Sequence, residues 1–125
     1  MRSKVVAVSA LMIAGVLQLG SATPAAAGTA RHVWAWGSNS RGELGVGTTM
    51  DVPSPVNGPA VGAPFMRISS GDGGSTYGIT SDGTAWSWGG NNLGQLGNGT
   101  TTGSAVPVPI SVPSGVRFTR VSAGA

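Results

Sequence analysis

Beyond about residue 30, short runs of alternating apolar and polar residues follow one another and are separated by glycine and proline. Alternation with a period of two is typical of strands, and no stretch in this part of the chain shows the 3.6-residue spacing of an amphipathic helix. The pattern therefore predicts an all-β fold with strands at residues 33–36, 65–70, 76–80, 84–88, 105–110 and 116–122.

The clearest turn signal lies between two of these runs, at Ser81-Asp82-Gly83-Thr84. Asp-Gly between β-branched, apolar runs favours a two-residue hairpin loop, because glycine adopts positive φ without strain. Asp82 and Gly83 are therefore predicted to join the two inner strands of one sheet.

One set of residues occurs twice, 52 positions apart. Two tryptophans, one asparagine, one leucine and four glycines coincide: Trp34, Trp36, Gly37, Asn39, Gly42, Leu44, Gly45 and Gly47 recur as Trp86, Trp88, Gly89, Asn91, Gly94, Leu96, Gly97 and Gly99. Residues 65–71 recur as residues 118–124, at a shift of 53. A period near 50 residues indicates a repeat protein, in which each unit buries its apolar face against a neighbour.

The second copy resembles the signature W-G-x-N-x-x-G-Q-L-G-x-G of the RCC1 (regulator of chromosome condensation) repeat family at every fixed position, including Gln95. The first copy, from Trp36 to Gly47, differs from it only in Glu43. This resemblance covers nearly all of the chain beyond residue 30 and implies a β-propeller of the secreted bacterial type. We therefore expect a partial propeller of about two four-stranded blades, preceded by a helical signal peptide, in a chain that is a fragment of a longer protein. The expected divisions are 1–27 (signal peptide), 28–83 (repeat 1) and 84–125 (repeat 2, incomplete).

The repeated residues are expected to have packing roles. The loop glycines should adopt conformations closed to residues with a Cβ, or lie where another strand approaches. The asparagines should bond the loop backbone, the tryptophans should place paired rings on one strand face, and Leu44 and Leu96 should fill the space between neighbouring blades. Gly103, outside the repeated set, is expected to tolerate a side chain.

Prolines are concentrated in residues 50–64 and 103–115. Because proline lacks a backbone donor, it belongs on an edge strand or a connection. These segments are predicted to form the outermost strand of each unit and the linker after it; a disordered linker is the alternative.

The N-terminus has the three parts of a secretory signal peptide. Arg2 and Lys4 precede a largely apolar stretch at residues 5–19, and small residues follow up to Ala27. Cleavage is expected after Ala27, with Ala22 as second choice. A transmembrane anchor is the alternative, but the stretch is shorter than the ~20 residues that span a bilayer. The expected location is therefore secreted or at the cell surface.

Charge and composition exclude several function classes. The net charge is +3, but without residues 1–27 it falls to +1, since five arginines then face four carboxylates. There is no clustered basic stripe that could neutralise phosphates, so no nucleic-acid partner is expected. Cysteine is absent, so a fold outside the cell must rely on packing rather than disulfides.

Candidate chemistry is sparse. His32 is the single histidine, and Glu43, Asp51, Asp72 and Asp82 lie at unrelated repeat positions. No catalytic, cofactor-binding or metal-binding set can be assembled, so the chain is expected not to be an enzyme and to need no cofactor.

The predicted function is an exported, non-catalytic module for protein–protein interaction with an unidentified protein partner. A structural or adhesive repeat of a larger surface protein, or an inhibitor of a secreted enzyme, is the alternative. Guanine nucleotide exchange is disfavoured, because Gly74-Ser75-Thr76-Tyr77 stands where RCC1 repeats often carry histidine. Open strand edges at both ends of a truncated propeller also predict self-association.

Overall fold

The computed structural model describes residues 32–124. The predicted signal peptide and its predicted cleavage positions lie outside the described residues. Six strands make up the fold: β1 (Trp34–Gly37), β2 (Val52–Asn57), β3 (Phe65–Ser70), β4 (Ser75–Thr80), β5 (Ala85–Gly89) and β6 (Ser104–Pro109). No helix occurs among them, so the described part of the chain is all-β, as predicted. Within residues 32–124 no helix is long and apolar enough to cross a membrane.

The strands form two antiparallel sheets. The first sheet contains β1 and β2, and the second has the order β3-β4-β5-β6. The second sheet therefore matches one four-stranded blade, whereas the first has two strands within the described residues. The boundaries of the sheets and of the sequence repeats do not coincide. The two repeats meet at residues 83 and 84, next to the hairpin that joins β4 and β5 in the middle of the second sheet.

The β4–β5 hairpin has a three-residue loop rather than the predicted two-residue loop. Thr80 and Thr84 close it through a 3.0 Å bond from Thr80 N to Thr84 O, and Gly83 N donates to Thr80 O at 2.9 Å. Gly83 has φ +85°. A type I turn followed by a glycine with positive φ is the usual three-residue hairpin, so the glycine serves as the bulge residue after the turn.

The proline-rich segments provide the outer strands, as predicted, rather than disordered linkers. Pro53 and Pro55 lie in β2, and Pro107 and Pro109 lie in β6. Each of these strands has one hydrogen-bonded neighbour in its sheet, which is where a missing backbone donor costs least.

The core of the second sheet is aromatic. Trp88 is 1% exposed and lies with Phe65 and Val33 in one buried cluster, against which Trp86 packs. The ring centroids of Phe65 and Trp88 are 5.5 Å apart with a tilt of 57°, which is a favourable aromatic arrangement. Val33 precedes β1, so this cluster joins the two units.

Two further predictions are corrected by the structure. Residues 116–122 do not form a strand, although they resemble β3 in sequence. β3 is a strand because it pairs with β4. The described residues after Phe118 include no strand with which residues 116–122 could pair in the same way. Leu44 does not fill the space between the sheets; it packs on Ala35 in its own unit, beside Trp36, Val46 and Val52.

Candidate functional site

Most of the repeated residues lie in two equivalent loops. Loop 1 (residues 38–51) connects β1 to β2, and loop 2 (residues 90–103) connects β5 to β6. Both begin with two consecutive tight turns. In loop 1, Gly42 N donates to Asn39 O at 2.9 Å and Gly45 N donates to Gly42 O at 3.0 Å; in loop 2 the same bonds measure 2.9 and 3.1 Å.

A buried asparagine organises each loop. In loop 1, Asn39 Oδ1 accepts from Leu44 N, while Asn39 Nδ2 donates to Thr48 O and Met50 O, all at 2.9 Å. One amide side chain thus binds both ends of the loop. Because Leu44 N lies in the interior and would otherwise lack a partner, the asparagine is needed for the loop to close.

Loop 2 repeats this network 52 residues later. Asn91 Oδ1 accepts from Leu96 N at 2.8 Å, and Asn91 Nδ2 donates to Thr100 O and Thr102 O at 2.9 Å. Leu96 is fully buried, and its carbonyl accepts from Ser87 Oγ at 2.7 Å. Loop 2 is therefore fastened to its own sheet by side chains of both β5 and the loop.

The exchange of glutamine for glutamate between the loops has a simple basis. Glu43 Oε2 accepts from Arg41 N at 2.8 Å, and Gln95 Oε1 accepts from Leu93 N at 2.8 Å. Both side chains provide one oxygen to the same amide of the turn, so either residue type fits.

The repeated glycines have the backbone conformation expected from the sequence. φ lies between +64° and +106° at all eight positions, namely Gly37, Gly42, Gly45, Gly47, Gly89, Gly94, Gly97 and Gly99. Gly103 differs from its expectation: a Cβ there would lie 2.9 Å from Gly89 O, so close backbone approach also excludes a side chain at this position.

Loop 1 docks on the second sheet through its main chain. Glu43 O accepts from Thr76 Oγ1 and from Trp88 Nε1, both at 2.9 Å and both buried. Gly47 N donates to Ala105 O at 2.9 Å. The loop and sheet are so close that a Cβ on Gly42 would lie 2.8 Å from Ala105 Cα.

Arg41 adds the one charged contact of this docked loop. Its Nη1 donates to Gly73 O at 2.6 Å, and its Cδ would lie 2.6 Å from a Cβ on Gly74. Sequence comparison of the repeats did not identify Arg41, since Leu93 occupies the equivalent position in loop 2. Thr76 was also missed, because a threonine within a predicted strand has no distinguishing pattern.

An open groove of about 430 Å³ lies between the two loops. Ser40, Arg41 and Thr49 line it from loop 1, and Asn92 and Thr101 line it from loop 2. Most side chains that line it are small or uncharged and polar, and Arg41 is the one charged residue among them, so charge would contribute little to recognition here.

The titratable groups are scattered, as the sequence indicated. Asp82 is exposed in its hairpin and accepts from Thr80 Oγ1 at 2.7 Å and from Thr84 N at 3.1 Å. These hydrogen bonds, first that from Thr80, lower the pKa of Asp82. Within residues 32–124 no group of three His, Cys, Asp or Glu side chains could hold a metal ion.

Comparison with known proteins places this geometry in a family. The model of the regulator of chromosome condensation (RCC1) repeat matches residues 32–77 and 82–125. The chain is 38% identical over 95 residues to the ultraviolet-B receptor UVR8 of Arabidopsis thaliana, an alignment that covers 75% of the chain and 21% of that protein. It is 33% identical over 98 residues to protein RCC2 of Mus musculus, with 78% and 19% covered.

The fold has a counterpart among solved structures. The crystal structure of human WBSCR16 superimposes with a TM-score of 0.65 at 23% identity, over 74% of this chain and 24% of that one. The chain spans about a fifth of the length of UVR8 and RCC2.

Proposed function

The chain belongs to the RCC1 repeat family, and we propose that it is an exported, non-catalytic module for binding another protein. The partner is another protein, and neither nucleic acid nor a cofactor takes part in the interaction. The whole assembly acts outside the cell, in the medium or at the cell surface.

The observation that carries this proposal is the rigid groove between loops 1 and 2. Each loop is held by a buried asparagine whose side chain bonds main-chain groups and, in loop 2, also Thr100 Oγ1. Residues such as Thr49 and Thr101 are free to contact a partner. A rigid scaffold with exposed loop side chains is a common basis for recognition.

The sparse chemistry supports a role without catalysis. Glu43 is buried and bonded within its turn, and Asp82 is bonded within its hairpin. Neither carboxylate faces a second titratable group in the manner of an acid and base pair.

The proposal of export rests on the N-terminal residues. A basic start, an apolar stretch at residues 5–19 and the small residues up to Ala27 have the order of a signal peptide. N-terminal sequencing of protein recovered from the medium should begin at residue 28; an intact Met1 on that protein would contradict export through this signal.

The binding role is tested with substitutions in the groove. Thr49→Arg and Thr101→Arg place a long, charged side chain on opposite walls of the groove, while Val112→Arg places one on an exposed site outside it. A partner captured from the medium should bind saturably, and its affinity should fall about tenfold or more with either groove variant but not with Val112→Arg. An affinity that is unchanged in both groove variants would refute the proposed site.

A further inference from the structure

We propose that Asn98, in loop 2, is the attachment site of an N-linked glycan. Asn98-Gly99-Thr100 is the one Asn-x-Ser/Thr tripeptide in the chain. With any residue but proline in the middle, this tripeptide is the acceptor signal for N-glycosylation of exported proteins. The inference rests on the export proposed above and is independent of the binding groove.

The asparagine of this tripeptide is not required by the repeat. Its two neighbours recur in loop 1, but Val46 occupies the position of Asn98 there. Val46 packs on the buried cluster of Ala35 and Leu44. An amide cannot make the same apolar contact, and the hydrogen bonds of Asn98 lie in an exposed turn. The packing of the loop therefore does not explain an asparagine here, and the acceptor signal exists only because of it.

The hydrogen bonds of Asn98 leave its nucleophilic atom available. Asn98 Oδ1 accepts from Thr100 Oγ1 at 2.8 Å and from Thr100 N at 3.1 Å. Asn98 Nδ2, the atom that would carry the sugar, donates to no atom of residues 32–124. A Cβ on the adjacent Gly99 would meet nothing within 4 Å. A glycan on Nδ2 would therefore leave every bond of this turn in place.

The two buried asparagines show the opposite arrangement. The Nδ2 of Asn39 donates to two main-chain carbonyls of loop 1, and the Nδ2 of Asn91 donates to two of loop 2. A sugar on either atom would break the network that closes the loop. Neither asparagine has Ser or Thr two positions later, so the acceptor signal is confined to a site where the fold tolerates the product.

The site also stays accessible in a loop that is covered by a sheet. Loop 1 is docked on the second sheet, yet Val46 is half-buried and the next two residues are exposed. The equivalent Asn98 is likewise half-buried, and Gly99 and Thr100 are exposed. Access to the acceptor tripeptide is therefore a property of the loop itself and does not depend on whether a sheet lies against it.

The modification transfers an oligosaccharide from a lipid-linked diphosphate donor, under catalysis by a membrane-bound transferase. Asn98 Nδ2 forms a bond to the anomeric carbon of the first sugar, and the bond from that carbon to the diphosphate oxygen breaks. The lipid diphosphate leaves, and Nδ2 loses one proton to a base of the transferase. The amide oxygen keeps its two bonds to Thr100 throughout.

The experiment is translation of the full chain in the presence of microsomes of the endoplasmic reticulum, which supply the transferase and the donor. Protein inside the microsomes should carry one glycan, which peptide N-glycosidase removes and which mass spectrometry locates on Asn98. Asn98→Gln should abolish the modification, and Thr100→Ser should retain it, because serine also completes the signal. Asn92→Gln, at an exposed asparagine outside the signal, is the matched control and should leave the modification unchanged.

A second arm, in which a signal peptide of known activity replaces residues 1–27, separates glycosylation from export. Entry in this arm alone would contradict the proposed export, while a glycan on Asn98 would still support the acceptor site. Protein that enters the microsomes in either arm and stays unmodified would overturn the inference. The urea midpoint should be the same for glycosylated and unmodified protein, because the sugar replaces a hydrogen that makes no bond; a lower midpoint for the glycosylated form would contradict the position assigned to Nδ2.

Discussion

Substitution of two equivalent glycines, Gly45→Ala and Gly97→Ala, separates backbone strain from close packing. φ is +71° at Gly45 and +64° at Gly97, so each alanine should cost about 1–2 kcal/mol of unfolding free energy through left-handed strain. The surroundings differ. A Cβ on Gly45 would lie 2.7 Å from Trp88 Nε1, while one on Gly97 would meet only Ile110 Cγ2, at 3.2 Å.

The indole of Trp88 must therefore move in Gly45→Ala. It would lose its 2.9 Å bond to Glu43 O, worth about 1 kcal/mol, and displacement within a packed core adds about 1–3 kcal/mol. We expect a total loss of about 3–6 kcal/mol for Gly45→Ala and about 1–2 kcal/mol for Gly97→Ala.

Urea denaturation followed by tryptophan fluorescence measures both losses. Gly62→Ala is the matched control, because nothing lies within 4 Å of its Cβ position and its φ is not in the left-handed region; it should be neutral or slightly stabilising. Equal losses at Gly45 and Gly97 would refute the docking of loop 1 on Trp88 and leave backbone strain as the whole effect.

Three further substitutions test the loops and the hairpin. Asn91→Ala leaves the buried Leu96 N without a partner and removes two part-buried bonds to Thr100 O and Thr102 O, so it should cost about 2–4 kcal/mol in urea denaturation, whereas Asn98→Ala, with its bonds in an exposed turn, should cost less than about 1 kcal/mol. Thr80→Val removes the main cause of the lowered pKa of Asp82, so a carboxyl NMR titration of this variant should show a higher pKa for Asp82. In the wild type, the contribution of Asp82 to stability is present above its unfolded pKa. That contribution is lost as the pH falls through the lower folded pKa. Glu43→Gln should change stability by less than about 1 kcal/mol, because the equivalent residue of loop 2 makes the same bond as a glutamine.

Much of the fold could be predicted because two copies of the pattern were available for comparison. β3 was predicted to the residue, and β1, β4, β5 and β6 to within one residue at each end, whereas β2 was predicted only as part of the segment 50–64. The positive φ of the loop glycines could be predicted because a backbone conformation closed to residues with a Cβ is a common reason for glycine to recur at fixed positions. Local rules of this kind are contained in a few neighbouring residues, so they can be read without the rest of the chain.

Features that depend on non-local pairing could not be predicted. Residues 116–122 resemble β3, but a strand needs a hydrogen-bonded neighbour as well as an alternating pattern. The restriction at Gly103 comes from the carbonyl of Gly89 across the sheet, and the role of Arg41 comes from Gly73 and Gly74, more than 30 positions away. In each case the deciding contact joins residues that no repeat comparison relates.

The two loops show how one backbone design can carry different side chains at its tip. Bonds from Glu43 O and Gly47 N hold loop 1 on its sheet without any particular loop side chain, so this part of the contact is available to every copy of the repeat. Selectivity must come from the side chains at the loop tip. Arg41 requires a carbonyl acceptor and a neighbouring glycine, which Gly73 and Gly74 supply, whereas Leu93 at the equivalent position is 83% exposed. Loop 1 is thereby matched to the second sheet of its own chain. Arg41→Leu should therefore lower the urea midpoint, while Leu93→Arg, at an exposed position, should change stability by less than about 0.5 kcal/mol; equal losses for the two variants would contradict a docking role for Arg41.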